Sequence, residues 1–196
     1  MNNYYLEMDF ESDYAYLFYI WIRIAIFVTN HIYRIKKIII YLMWYIYNIA
    51  VCFCVYWLSN LILWVPWSVS PILGQTLMLT VNPFIWGYAS YKCIISYPKQ
   101  NLFVGSVYNS LIFTLVAILS DLIFFGWIRN AMDNLMHRTT LYSWSFVFVL
   151  PYLVYLIAKK RNRRDDSVVL RDSLVPVSVG AVCLLCILYM IHNPLV

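Results

Sequence analysis

The chain has 196 residues, 63% of them hydrophobic and only 12% charged, whereas soluble domains carry about 25% charged residues. A single small core cannot hide that much apolar surface, so an ordinary soluble domain is excluded and lipid is the expected solvent. The formal net charge of +5 falls beside apolar runs, which fits a membrane topology rule better than a nucleic-acid recognition surface.

Residues 1–13 form an acidic tail with Glu7, Asp9, Glu11 and Asp13. A secretory signal peptide starts with basic residues, so no cleavage is expected here. A transmembrane helix needs roughly 20 apolar residues. Residues 14–33 meet that length but carry Arg23 near the middle, at a cost of about 2.5 to 3.5 kcal/mol that the apolar neighbours can offset. Arg34, Lys36 and Lys37 follow, then a strong apolar run over 38–65. Trp57, Trp64 and Trp67 fit an interfacial belt there, because an indole has a dry body and a wet edge.

The next segment, 72–96, is weaker, with Gly74, Gln75, Asn82 and Pro83. Residues 102–128, 139–158 and 173–192 complete the series. Pro83 and Pro151 should bend their helices, since proline lacks the backbone donor and collides with the preceding turn. Thr139 or Thr140 is placed to cap the fifth helix.

Charge sets the count of crossings, because cytoplasmic loops keep the excess of Lys and Arg. With Arg34, Lys36 and Lys37 inside, and with Lys159, Lys160, Arg161, Arg163, Arg164 and Arg171 also inside, an even number of crossings must separate them. The strong segments supply three, so 72–96 supplies the fourth and brings Lys92 and Lys99 inside. Eleven of the 14 basic residues then face the cytoplasm, Arg129 and Arg138 lie outside, and Arg23 stays within its helix. The expected fold class is an all-α polytopic bundle in a bacterial inner membrane. It has six transmembrane helices, or five if 14–33 lies in the interface, and residues 14–196 form one domain. The basic loops 34–37, 92–101 and 159–172 are expected in the cytoplasm.

Asp121 stands inside the apolar run 102–128, and an ionisable group at such a place is a functional hypothesis by default. At 1.5 Å per residue, Asp121 and Arg23 fall at compatible depths. An intramembrane ion pair between them is expected, with a proton or ion pathway as the alternative. The three histidines, His31, His137 and His192, have no neighbours at metal-ligand spacing, so neither a metal nor a cofactor is expected. No set of acid, base and nucleophile assembles from the sequence, and no catalytic residue is assigned.

Three resemblances add to this. Arg129, Asn130 and His137 look like the Arg-Asn and His motif of the HEPN ribonucleases, with seven residues between Arg and His where that family has four to six. Cys183 and Cys186 look like the paired thiols of membrane disulfide-generating proteins, although that family places its first pair near a helix end and has a second pair. In size, number of spans, Tyr- and Ile-rich composition and a basic cytosolic loop, the whole chain resembles the small multi-pass accessory proteins of type VI-B CRISPR loci.

The last resemblance implies a non-enzymatic accessory protein of antiviral defence that dampens an RNA-guided, RNA-targeting effector nuclease. Lys159, Lys160, Arg161, Arg163, Arg164 and Arg171 would make the contact with that partner or with anionic lipid. The alternatives are a small ion channel or transport-like protein using Asp121, and a thiol oxidoreductase using Cys183 and Cys186. The expected partners are the bilayer, a cytoplasmic protein and further copies of the chain, with no direct contact to nucleic acid.

Overall fold

The computed structural model describes residues 8–159, 168 and 170–193, with side chains from residue 18 onward except at 134. Lys160, Arg161, Arg163 and Arg164 of the basic segment lie outside the described residues, as does the tail before Met8. Every regular element among the described residues is helical. There are five α-helices: α1 (Met8–Val69), α2 (Pro71–Ile95), α3 (Leu102–Asp121), α4 (Arg138–Ala158) and α5 (Leu170–His192). A π-helix, Leu122–Ile128, continues α3, and a 3-10 turn, Met132–Met136, precedes α4.

Four helical stretches are long and apolar enough to cross a membrane: Phe18–Val69, Leu102–Ile128, Arg138–Ala158 and Leu170–His192. The α2 helix has the length, 25 residues, but Gln75, Thr76, Thr80 and Asn82 dilute its apolar character.

Three local expectations are corrected. The stretch 34–37 is helix where a loop is expected, and α1 runs through it for 62 residues without a break. Arg34, Lys36 and Lys37 are good helix formers and no Gly or Pro interrupts them. The start of α4 is capped by His137, two residues before Thr139 and three before Thr140: its ring nitrogen accepts from the Thr139 amide at 3.4 Å and lies 2.9 Å from the Thr139 hydroxyl. Residues 102–128 are one apolar run but two helical types, changing from α to π after Asp121.

The chain divides into two units, Met1–Tyr41 and Leu42–Val196. In the first, the helix is exposed on every face from Trp21 to Ile39, as a helix apolar all round must be without lipid or protein about it. The Arg23 Nε donates to the Tyr19 hydroxyl at 2.9 Å, and its guanidinium carbon stands 5.2 Å from that ring's centroid. One turn of helix therefore gives Arg23 its partner.

The second unit is a helix bundle with an aromatic core. Trp44, Trp57, Tyr97 and Phe113 are almost wholly buried with Ile94 and Ile187. The chain reverses from α1 to α2 at Ser70, with Pro71 opening the new helix where its missing N–H costs nothing. Between α2 and α3, Tyr97 wedges inward and meets Trp44 edge to face at 4.9 Å. A Cβ at Gly105 would lie 2.8 Å from that Tyr97 ring, so glycine is what admits it. Asn101 then caps α3 by accepting from the Phe103 and Val104 amides.

On the other side, a Cβ at Gly180 of α5 would stand 2.6 Å from the Phe53 ring and 3.0 Å from the Cys54 backbone. Close backbone approach at a small residue is the usual means of joining apolar helices in lipid, where no hydrophobic force acts between them.

Candidate functional site

Polar groups recur every fourth residue along one face of α1: Asn48, Cys52, Tyr56 and Asn60. Residues four apart on a helix are neighbours. The facing row on α3 is Asn109, Phe113, Ala117 and Asp121, with the same spacing. The two rows run parallel and are joined by three hydrogen bonds, the third passing over Ala117. The Asn109 side-chain amide donates to Asn48 Oδ1 at 2.7 Å, the Cys52 thiol donates to the Phe113 carbonyl at 3.5 Å, and the Tyr56 hydroxyl donates to Asp121 Oδ1 at 2.5 Å.

The first rung is closed. The Ser90 hydroxyl of α2 donates to Asn109 Oδ1 at 2.6 Å, and the Asn48 amide donates to the Trp44 carbonyl at 2.9 Å. Asn48, Asn109 and Ser90 are fully buried. A satisfied polar chain of this kind fixes which faces of α1, α2 and α3 meet. It has no spare group for a ligand.

The last rung is open. Asp121 is only partly buried, and its second oxygen accepts from the Trp144 indole of α4 at 2.6 Å. Two helices other than its own thus hold the carboxylate with neutral donors. It borders a cavity of about 400 Å³ walled by α1, α2, α3 with its π extension, and the start of α4. Ser59 and Asn60 come from α1, Asn82 from α2, and Thr139, Thr140 and Ser143 from α4; aromatic rings supply much of the remaining wall. Among the lining residues there is no Lys, Arg or His.

Two backbone irregularities flank this cavity. Pro83 sits inside α2 and lines the wall, as does Leu79 one turn before it. Proline has no N–H, so the Leu79 carbonyl lacks its helical donor. The π-helix begins at Leu122, directly after Asp121, and ends with the Arg129 amide donating to the Phe124 carbonyl at 2.9 Å. Asn130 follows at φ 46, the left-handed turn that releases the chain from the helix. Single π turns inside helices occur frequently at functional sites.

A second cavity, of about 730 Å³, shares Asn60, Leu63, Trp67, Phe125, Thr139 and Thr140 with the first and is lined also by Arg129 and His137. Two of the three residues of the HEPN-like pattern, Arg129 and His137, therefore border one space. Arg129 stands 5.7 Å over the Trp64 ring and 5.9 Å from Phe124, and the His137 ring is engaged with Thr139. Neither arrangement puts a base and a nucleophile together.

The other sequence candidates stand each within its own unit. In the second unit Asp121 takes its hydrogen bonds from Tyr56 and Trp144, and in the first Arg23 donates to Tyr19. All five cysteines are free thiols, Cys183 buried and Cys186 half-buried on α5. Lys159 ends α4 exposed and Arg171 begins α5 exposed. Among the described residues no group of three His, Cys, Asp or Glu could hold a metal ion. Tyr56, Trp144 and Asn48 were not legible as site residues from the sequence. The fourfold spacing of Asn48, Cys52, Tyr56 and Asn60 was the available signal for the face, though not for what it meets.

Together the fold and the site define a class: an all-helical protein with four stretches able to cross a membrane and a single-carboxylate cavity inside its bundle. Comparison with known protein families, with curated proteins and with solved structures returns no match for this chain.

Proposed function

We propose that this chain is a non-enzymatic integral membrane protein that binds and passes a cation, a small channel or transport-like protein with Asp121 as the binding carboxylate. One observation carries the proposal. The Asp121 carboxylate borders a cavity walled by four helical segments, and its partners, the Tyr56 hydroxyl and the Trp144 indole, are both neutral. Ionisable groups inside membrane helices mark ion and substrate pathways. Irregular backbone at membrane depth is tolerated where it lines such a cavity, which accounts for Pro83 and the π-helix beside it.

The bundle of residues 42–196 would cross the membrane five times. Charge parity between Arg34–Lys37 and Lys159–Arg171 requires α2 to cross with α1, α3 and α4. A sixth crossing by 14–33 needs a chain reversal near 34–37, where α1 is unbroken. In this orientation the Asp121 cavity opens at the outer end of the bundle. Dampening of an effector nuclease would run through Lys159–Arg171, whose central residues lie outside the described ones, and no described contact favours it.

The test is flux in reconstituted vesicles. Purified wild-type protein should pass a monovalent cation above the empty-vesicle background, and Asp121→Asn should abolish most of that flux. Wild-type flux equal to background, or flux unaltered by Asp121→Asn, would overturn the proposal.

A further inference from the structure

The walls of the Asp121 cavity say more about the cation than its charge does. Calcium and magnesium take six or more oxygen ligands, and zinc takes four, mostly Cys and His. Here the cavity offers one carboxylate, and among the described residues no three metal-ligating side chains converge. Its volume, about 400 Å³, lies within the roughly 300 to 1,000 Å³ typical of small-molecule sites. A bare alkali ion would leave most of that space to be filled with water, against apolar walls.

Much of the non-polar wall is aromatic: Trp67, Trp86, Tyr142 and Trp144 all border the space. Aromatic faces attract organic ammonium ions through the ring quadrupole while also burying the alkyl or aryl part. Asn60 and Asn82 line the same space and carry neutral amide oxygens. A carboxylate has about four lone-pair positions. Tyr56 and Trp144 take two of these, so Asp121 can still accept from a ligand.

We propose that the cation bound at Asp121 is a monovalent organic ammonium ion, with its charged nitrogen at the carboxylate and its hydrocarbon part against the aromatic wall. This rests on the cation-binding function proposed above and narrows its substrate class. It requires no metal and no covalent step.

The experiment titrates the detergent-solubilised full-length protein with benzyltrimethylammonium and with phenethylammonium, reading tryptophan fluorescence and calorimetric heat, with sodium and potassium chloride at equal ionic strength as controls. Wild-type protein should bind at least one of the two ammonium ions saturably. Asp121→Asn, which can still accept through its amide oxygen, should weaken binding about tenfold or more through loss of a charge-assisted contact. Tyr142→Leu removes an exposed ring from the wall and should weaken binding about two- to fivefold without touching the carboxylate.

Equal binding by wild type and Asp121→Asn, or no binding of either ammonium ion, overturns this inference. If sodium or potassium instead binds or passes in an Asp121-dependent manner, the inference fails and the cation-binding function stands. If no cation of either kind binds or passes, both fall. Should Asp121→Asn not fold, the Tyr142→Leu titration and competition between the two ammonium ions at the wild-type site decide the matter.

Discussion

Trp144 donates its indole N–H to Asp121 across the α3–α4 interface, at 2.6 Å. With the Tyr56 hydroxyl on the other oxygen, this contact makes a single carboxylate the meeting point of three helices. Its removal should be felt in packing as well as in function. Asp121→Leu strands the donors of Tyr56 and Trp144 and should lower stability by about 2 kcal/mol, whereas Asp121→Asn should cost under about 1 kcal/mol because its amide oxygen can accept from Trp144 while its NH2 donates to the Tyr56 hydroxyl oxygen. Thermal unfolding in detergent would compare them, and equal losses for the two variants would refute this account of the contact.

The Ser90–Asn109–Asn48 chain predicts a different outcome. Asn109→Leu removes both inter-helix hydrogen bonds of a fully buried residue. Side-chain hydrogen bonds between membrane helices are worth about 0.6 kcal/mol on average and up to about 1.7, so the variant should lose roughly 1 to 2 kcal/mol. Cation binding at Asp121, three helical turns away, should change less than in Asp121→Asn. A variant as stable as wild type would show that the rung contributes nothing.

At Gly180 the expected defect is steric. An added Cβ stands 3.0 Å from the Cys54 backbone and 2.6 Å from the Phe53 ring, and backbone cannot step aside as a flexible side chain can. Gly180→Ala should destabilise by about 1 to 3 kcal/mol, the range for overpacking a close contact. Gly87, where a Cβ would meet nothing within 4 Å, is the control: Gly87→Ala should be neutral or slightly stabilising, since alanine favours a helix interior. Chemical unfolding curves of the two variants would separate them.

Orientation can be tested by labelling. Asp133→Cys lies between the π-helix and α4, and Lys99→Cys lies between α2 and α3. In intact cells an impermeant maleimide should modify the cysteine at 133 and reach the one at 99 only after lysis. An epitope at the N-terminus should resist external protease if the bundle crosses five times, and be cleaved if residues 14–33 add a sixth crossing. Labelling at 99 before lysis would reverse the proposed orientation.

Helical class and four membrane-length stretches were legible residue by residue, because apolar length needs no tertiary information. Two boundaries were misjudged for local reasons. The cluster Arg34, Lys36 and Lys37 signals charge but contains no helix breaker, so α1 continues through it. His137 is an uncommon cap, and the more common threonines beside it drew attention away.

Asp121 could be picked out from the sequence because a lone acid in an apolar run has few innocent explanations. Its partners could not. A hydrogen bond requires that two faces turn toward each other, and sequence spacing fixes a face only relative to its own helix. The bundle's rotations and register brought Tyr56 and Trp144 to the carboxylate. By itself, then, the sequence determined a helical protein suited to lipid, because those properties are sums over local residues. Only the tertiary structure decided that Asp121 faces a cavity with neutral partners and aromatic walls, because that depends on how four helical segments are turned about their axes.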